Sequence, residues 1–170
     1  MNTPTDLISF AGGWVAMTAA MMLPSSAPFV YSFARGFKRS PAWPLGVLVV
    51  VVVYLAVWMV FGAGLLAVSG WIPAWVAIGL AAVYMLTPLQ RMGEAGCVRL
   101  CRRLEGVRGG ALRTALVRGS RYGLFCVACT ASVMVAVFYI GMSDVRLIAL
   151  GAVAVFLLKA RSWREVASAS

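Results

Sequence analysis

Residues 45–68 read LGVLVVVVVYLAVWMVFGAGLLAV and contain no charged residue. Five of them, residues 49–53, are consecutive valines, and β-branched residues of this kind favour a β-strand in a soluble protein. The stretch is nevertheless longer than the roughly 20 apolar residues that a helix needs to cross a bilayer. Its length therefore predicts a transmembrane helix, which decides the fold class.

The rest of the chain has the same apolar character. Of its 170 residues, 62% are hydrophobic and 12% are charged, and the mean hydropathy of +0.93 excludes an ordinary soluble domain. Further spans are predicted at about residues 7–33, interrupted by prolines 24 and 28, from the turn at 69–73 to about 86–89, at 122–142 and at 147–158. We therefore expect an all-α fold, a polytopic membrane helix bundle of about five transmembrane helices that forms one membrane domain over residues 1–170.

The positive charges predict the orientation of this bundle. The chain has 15 Lys and Arg against 5 Asp and Glu. With five spans, the basic segments 35–39, 91–121 and 159–164 lie on one side, and they hold fourteen of the fifteen basic residues. By the positive-inside rule the N-terminus is outside, the C-terminus is cytoplasmic and residues 91–121 form a basic cytoplasmic connector. The expected location is the cytoplasmic (inner) membrane, and the expected partner is the lipid bilayer rather than nucleic acid.

The chain contains no histidine. This absence removes the commonest zinc ligand and the usual general base, so we expect neither an enzyme nor a catalytic residue. The remaining reactive groups are chiefly the sulfur atoms of 4 cysteines and 9 methionines. Thiolate and thioether sulfur favour soft ions such as Cu(I), whereas Mg²⁺ and Ca²⁺ require oxygen ligands.

The sulfur residues occupy three regions. One cysteine pair is near the cytoplasmic end of the fourth span, a second pair is in the connector, and a methionine cluster is near the middle of the first span. Each cysteine pair is spaced to share one face of a helix. If the first and fourth spans touch, these groups form a ladder of soft ligands that leads toward the cytoplasm. The candidate metal ligands are Cys126, Cys129, Cys97, Cys101, Met17, Met21 and Met22.

Other functions use the same residues. Methionine is a common filler of apolar cores, and small cysteines also suit close helix contacts. If the sulfur residues serve only in packing, the chain is a membrane scaffold or an assembly subunit of a larger complex. A thiol–disulfide redox protein is a third alternative, although both cysteine pairs are predicted on the reducing side. The expected protein partner is a soluble metal chaperone, a membrane partner subunit or a second copy of the chain.

Several motifs in order resemble a bacterial family of predicted metal-binding integral membrane proteins. The motifs are residues 14–28 (WVAMTAAMMLPSSAP), 84–90 (YMLTPLQ), 97–101 (CVRLC), 110–113 (GALR) and 122–129 (YGLFCVAC). The resemblance covers most of the chain and implies metal ligands at the same four cysteines and three methionines.

The chain also departs from that family at a few positions. Its members often have cysteine and tryptophan after the second cysteine of the last motif, where this chain has Thr130 and Ala131. They often have glutamate before the terminal lysine, where this chain has Leu158. The expected function is that of a membrane protein that binds Cu(I) and translocates it or hands it over, with fewer ligands than in its relatives.

Overall fold

The computed structural model describes residues 4–38, 41–102, 111–140, 146, 149–153 and 155–157. Within these ranges the regular structure is entirely α-helical, which confirms the predicted all-α class. The helices with defined bounds are α1 (Pro4–Phe37), α2 (Trp43–Ser69), α3 (Ala74–Leu86), α4 (Pro88–Arg102) and α5 (Ala111–Ile140).

Three helices in the described part of the chain are long and apolar enough to cross a membrane. They are Ile8–Phe37, Trp43–Ser69 and Leu112–Ile140, and they correspond to the predicted first, second and fourth spans. The predicted fifth span lies partly outside the described residues, and its described residues are helical. The number of spans and their orientation remain predictions.

The predicted third span, which ends near residues 86–89, coincides with helix α3 (Ala74–Leu86). Helix α3 has 13 residues and is about 20 Å long at the usual rise per residue, which is short for a full crossing. Its last residue is Leu86. The next residue, Thr87, has an extended backbone, because Pro88 after it disfavours the helical conformation. The chain then resumes as α4, directly after this break.

Residues 91–121, predicted as a polar connector, are helical wherever the structure describes them. Helix α4 covers their first part, and α5 begins at Ala111 rather than near Tyr122. Helix α4 buries Gln90 and Cys97 and exposes Arg91 and Arg99. The described charges of this segment therefore lie on the outer face of an amphipathic helix, α4, and in the first turns of α5.

Helix α1 is continuous through Pro24 and Pro28, so the predicted interruption does not occur. Prolines are tolerated in membrane helices where neighbouring groups satisfy the freed backbone. Two serines next to Pro24 stay within the helix: the Ser25 hydroxyl donates to the carbonyl of Met22 (2.9 Å) and the Ser26 hydroxyl to that of Leu23 (3.0 Å).

Helix α2 packs beside α5 along a row of residues four apart. The buried residues of this row are Gly46, Val50, Tyr54, Trp58 and Gly62. Gly119 of α5 approaches Val50, and Gly123 approaches Val57. Because both residue numbers rise in the same direction, α2 and α5 are parallel, as expected for the second and fourth spans.

Helix α1 contacts both of these helices through large side chains. The Trp14 indole donates a hydrogen bond to the carbonyl of Trp58 (2.9 Å) and lies over Gly62. The Phe29 ring stacks on Tyr122 of α5, with ring centroids 4.1 Å apart. Trp14 also meets Phe138 edge to face, so α1 and α5 are antiparallel neighbours. The first and fourth spans therefore touch, as the predicted ligand ladder requires.

Helices α3 and α4 also pack against α5, around residues 125–129. The Tyr84 hydroxyl of α3 donates to the carbonyl of Ala128 (2.7 Å). On α4, Gly93 lies against the backbone of Cys129 and Gly96 lies against the Phe125 ring. Helix α5 is thus the central helix of the described bundle, and its cysteine pair lies where the other helices meet it.

Candidate metal centre

Cys126 lies on the face of α5 that meets α2. Its side chain is fully buried, and its sulfur is 3.1 Å from the hydroxyl oxygen of Tyr54. The carbonyl of Cys126 accepts two side-chain hydrogen bonds, from the Cys129 thiol (3.2 Å) and from the Thr130 hydroxyl (2.7 Å). Cys126 is therefore held both at its sulfur and at its backbone.

Cys129 lies where α4 comes closest to α5. Its side chain is 2% exposed, and a Cβ atom at Gly93 would be 3.0 Å from its backbone nitrogen. Its thiol points back along α5 and donates to the Cys126 carbonyl. Cys97, Cys126 and Cys129 are all present as buried thiols.

Met22 is the methionine of α1 that the structure connects to this pair. Its side chain is fully buried, and its sulfur is 3.9 Å from the Thr130 hydroxyl oxygen. Thr130 thus contacts both Met22 and the Cys126 carbonyl. Members of the resembled family often have a further cysteine at this position. In the present chain the position is occupied by Thr130, and its hydroxyl faces the Met22 thioether.

The other two candidate methionines, Met17 and Met21, are buried in the same core. Met21 packs against Gly151, since a Cβ atom on Gly151 would lie 2.6 Å from the Met21 methyl group. Met17 is 4% exposed and belongs to the core cluster. Among the three predicted methionines, Met22 has a described contact with the residues around the cysteine pair.

The connector cysteines lie on α4. Cys97 is buried and follows Gly93 by four residues, so it shares the face that α4 turns toward α5. The backbone of Cys101 is in α4, and its side chain lies outside the described residues. In the described part of the chain, no group of three or more His, Cys, Asp or Glu residues is arranged to hold a metal. A complete sulfur site therefore needs methionine or a change in side-chain position.

Two further residues near the pair were not predicted from the sequence. Tyr54 contacts the Cys126 sulfur, and Met134 is fully buried on α5. Met134 follows Cys126 and Thr130 at intervals of four residues, and this spacing is a signal that could have identified it. For Tyr54 the available signal was a single phenol within the valine-rich span.

The surroundings of the centre are apolar and favour a soft ion. The buried polar side chains of the described residues are uncharged: Thr18, Ser25, Ser26, Gln90, Thr130 and Ser132. Sulfur is therefore the strongest metal donor that the side chains offer here. Thiols and a thioether without carboxylate or imidazole fit Cu(I) far better than Mg²⁺ or Ca²⁺.

Comparison with protein-family models matches residues 11–170 to PpoB2, a family described as copper chaperone. The matched residues include all four cysteines and all three candidate methionines. No curated protein and no solved structure matches the chain.

Proposed function

The chain belongs to the PpoB2 family of copper chaperones, and from this premise we propose that it is a membrane protein that binds Cu(I) through cysteine and methionine sulfur and hands the ion over. The cytoplasmic membrane of a bacterium is the proposed location. We propose no catalytic step, since the protein's task is to bind and release a metal ion.

The observation that carries this proposal is the contact of Met22 with Thr130, the residue that follows the cysteine pair on α5. Cys126 and Cys129 are three residues apart on α5, and Thr130 joins the Cys126 carbonyl to the Met22 sulfur. Two helices thus present three buried sulfur atoms to one region of the bundle. This donor chemistry agrees with the copper-related family of the chain.

In the proposed complex the two cysteines bind Cu(I) as thiolates and Met22 binds as a neutral thioether. Each copper–thiolate bond replaces a sulfur–hydrogen bond, and the proton is released to water. The Cys129 thiol then no longer donates to the Cys126 carbonyl, which leaves its sulfur available to the ion. The carbonyl keeps the hydrogen bond from Thr130.

The remaining candidates extend the proposed route in both directions. Met17 and Met21 lie further from the cytoplasmic end of α1, and Cys97 and Cys101 lie on α4. Transfer along these ligands leads toward the cytoplasm in the predicted orientation. A soluble metal chaperone or a partner subunit in the membrane is the proposed receiver or donor of the ion.

The test is Cu(I) binding by purified, reduced protein in competition with a chromophoric Cu(I) chelator. We expect the double variant Cys126→Ser/Cys129→Ser to lose at least about 100-fold in affinity, because loss of outer contacts to metal ligands alone costs roughly 10- to 100-fold. Unchanged stoichiometry and affinity in the double variant would overturn the proposal.

A matched pair of methionine variants separates ligation from packing. Met22→Leu should weaken Cu(I) binding about tenfold, an effect of the size found for supporting metal contacts. Met92→Leu is the control, since Met92 is 66% exposed on α4. Leucine replaces methionine at little cost in packing, so Met92→Leu should bind copper like the unaltered protein. Equal affinities in both variants would remove Met22 from the site.

The two alternative functions give different results in cells. A thiol–disulfide redox protein would yield a Cys126–Cys129 disulfide on thiol trapping. A scaffold would bind no copper, and its cysteine variants would keep their association with other subunits. A trapped Cys126–Cys129 disulfide together with unaltered copper affinity in the double cysteine variant, or the absence of Cu(I) binding by the unaltered protein, would replace copper transfer as the proposed function.

A further inference from the structure

Tyr54 is a buried phenol in the middle of the valine-rich helix α2. It is 2% exposed and occupies the central position of the buried row that α2 presents to its neighbours. Its hydroxyl oxygen is 3.1 Å from the Cys126 sulfur. A polar group at this depth of a membrane helix is costly unless it has a partner, and here the partner is the thiol of a proposed copper ligand.

The packing around Tyr54 restricts the position of its hydroxyl. Gly119 and Gly123 bring α5 close to α2 on either side of Tyr54 along the helix. The Tyr122 ring lies beside the Tyr54 ring, with centroids 5.9 Å apart, and Tyr122 is itself stacked on Phe29. The phenol is thus enclosed by three helices, and its hydroxyl is directed at the Cys126 sulfur.

The direction of this hydrogen bond changes when the sulfur binds copper. In the thiol form either group can donate. A thiolate has no hydrogen, so the phenol becomes the donor and the sulfur becomes the acceptor. Hydrogen bonds to charged acceptors are stronger than neutral ones, and the described surroundings contain no buried cationic side chain that could do the same work.

We propose that Tyr54 is a positioning residue for copper binding, whose hydroxyl orients the Cys126 sulfur and stabilises its thiolate in the Cu(I) complex. This inference rests on the proposed function of the cysteine pair. It adds a specific residue of α2 to a site that is otherwise built by α1 and α5. It also explains why a phenol interrupts a run of aliphatic residues in α2.

The test compares Tyr54→Phe with Tyr84→Phe. Both changes remove one hydroxyl that bonds to α5, but the Tyr84 hydroxyl bonds to the carbonyl of Ala128 instead of a sulfur. We expect Tyr54→Phe to lower the Cu(I) affinity about tenfold, as loss of an outer hydrogen bond to a metal ligand does. It should also shift the ultraviolet copper–thiolate absorption. Tyr84→Phe should leave both unchanged while lowering stability slightly.

A second measurement does not require purified protein. In membranes that contain a variant with Cys126 as its single cysteine, the alkylation rate of Cys126 should fall several-fold with Tyr54→Phe, because the thiolate is the form that reacts and the variant lacks the hydroxyl that stabilises it. This rate should stay unchanged with Tyr84→Phe. Equal alkylation rates and equal copper affinities for Tyr54→Phe and the parent protein would overturn the role of Tyr54.

The outcome for Tyr54 can be separated from the outcome for the copper proposal. If Cys126→Ser/Cys129→Ser loses copper and Tyr54→Phe keeps it, the copper proposal stands and the role of Tyr54 falls. If the double cysteine variant keeps copper, both fall. An affinity loss with Tyr84→Phe equal to that with Tyr54→Phe also counts against Tyr54, because it would reflect general loosening of α5.

Discussion

The two sides of the cysteine pair on α5 are packed in opposite ways. Toward α1 the contacts are made by long side chains, such as Phe29 on Tyr122 and Met22 on Thr130. Toward α4 they are made by glycine, and Gly93 brings the α4 backbone against the Cys129 backbone. We call these the α1 side and the α4 side of α5.

The difference between side-chain packing and backbone packing predicts how each side of α5 would admit Cu(I) in the proposed function. On the α1 side, methionine has several rotatable bonds, so Met22 can change its conformation while the helices stay in place. On the α4 side the neighbour of Cys129 is backbone, which yields only if helix α4 itself moves. We therefore infer that the α1 side adapts to supply a ligand, whereas the α4 side controls access to Cys129 by its distance from α5.

The largest effect is expected where α1 is anchored to α2. A Cβ atom at Gly62 would collide with the Trp14 indole, whose nitrogen donates to the Trp58 carbonyl (2.9 Å). Gly62→Ala should therefore lower the free energy of unfolding by about 3 kcal/mol, from overpacking and a lost buried hydrogen bond. Denaturant unfolding in detergent measures this loss.

Gly64→Ala is the control for this change, because a Cβ atom there meets nothing within 4 Å. Alanine is the better helix former, so Gly64→Ala should leave stability unchanged or raise it slightly. The same loss in both variants would mean that Trp14 does not hold α1 in place.

A smaller effect is expected from Gly93→Ala on the α4 side. The added Cβ atom would lie 3.0 Å from the Cys129 nitrogen and 3.1 Å from the Ala128 Cβ, so α4 must move outward by a few tenths of an ångström. We expect a loss of about 1–2 kcal/mol in the free energy of unfolding. In a variant with Cys129 as its single cysteine, alkylation of Cys129 should be faster by several-fold.

Gly79→Ala on α3 provides the comparison, since a Cβ atom at Gly79 also meets nothing within 4 Å. It should change neither the stability by more than about 0.5 kcal/mol nor the alkylation rate. If Gly93→Ala also left Cys129 equally reactive, the distance between α4 and α5 would not control access to this thiol.

The fold class could be predicted from the sequence because membrane helices are specified by length and hydropathy. The uncharged residues 45–68 predicted α2 almost to its ends, Trp43–Ser69. Hydropathy gave the wrong start for α5, since the arginines of its first turns were attributed to a connector. Such charges mark where a helix meets water, and they do not mark where it begins.

The candidate sulfur ligands could be named from the sequence, and their role in binding a metal remains a prediction. What could not be predicted is which of them meet. Helical spacing places residues on a face, but it does not identify the neighbouring helix, so Met17, Met21 and Met22 were equivalent in the sequence. Only the tertiary packing of α1 places Met22 against Thr130 of α5 and Met21 against Gly151.

The smallest expected effect on stability compares two buried hydroxyl groups, that of Ser25 on α1 and that of Ser132 on α5. Ser132 follows Cys129 by three residues, and its buried hydroxyl has no hydrogen-bond partner within the described structure. The Ser25 hydroxyl on α1 donates to the Met22 carbonyl (2.9 Å). Ser25→Ala should therefore cost about 1 kcal/mol of unfolding free energy, whereas Ser132→Ala should cost nothing or stabilise the protein. A cost of 1 kcal/mol or more for Ser132→Ala would show that its hydroxyl is satisfied by water. Water at that position would lie about one helical turn from Cys129 on α5, and the movement of α4 would then be unnecessary for water to approach this thiol.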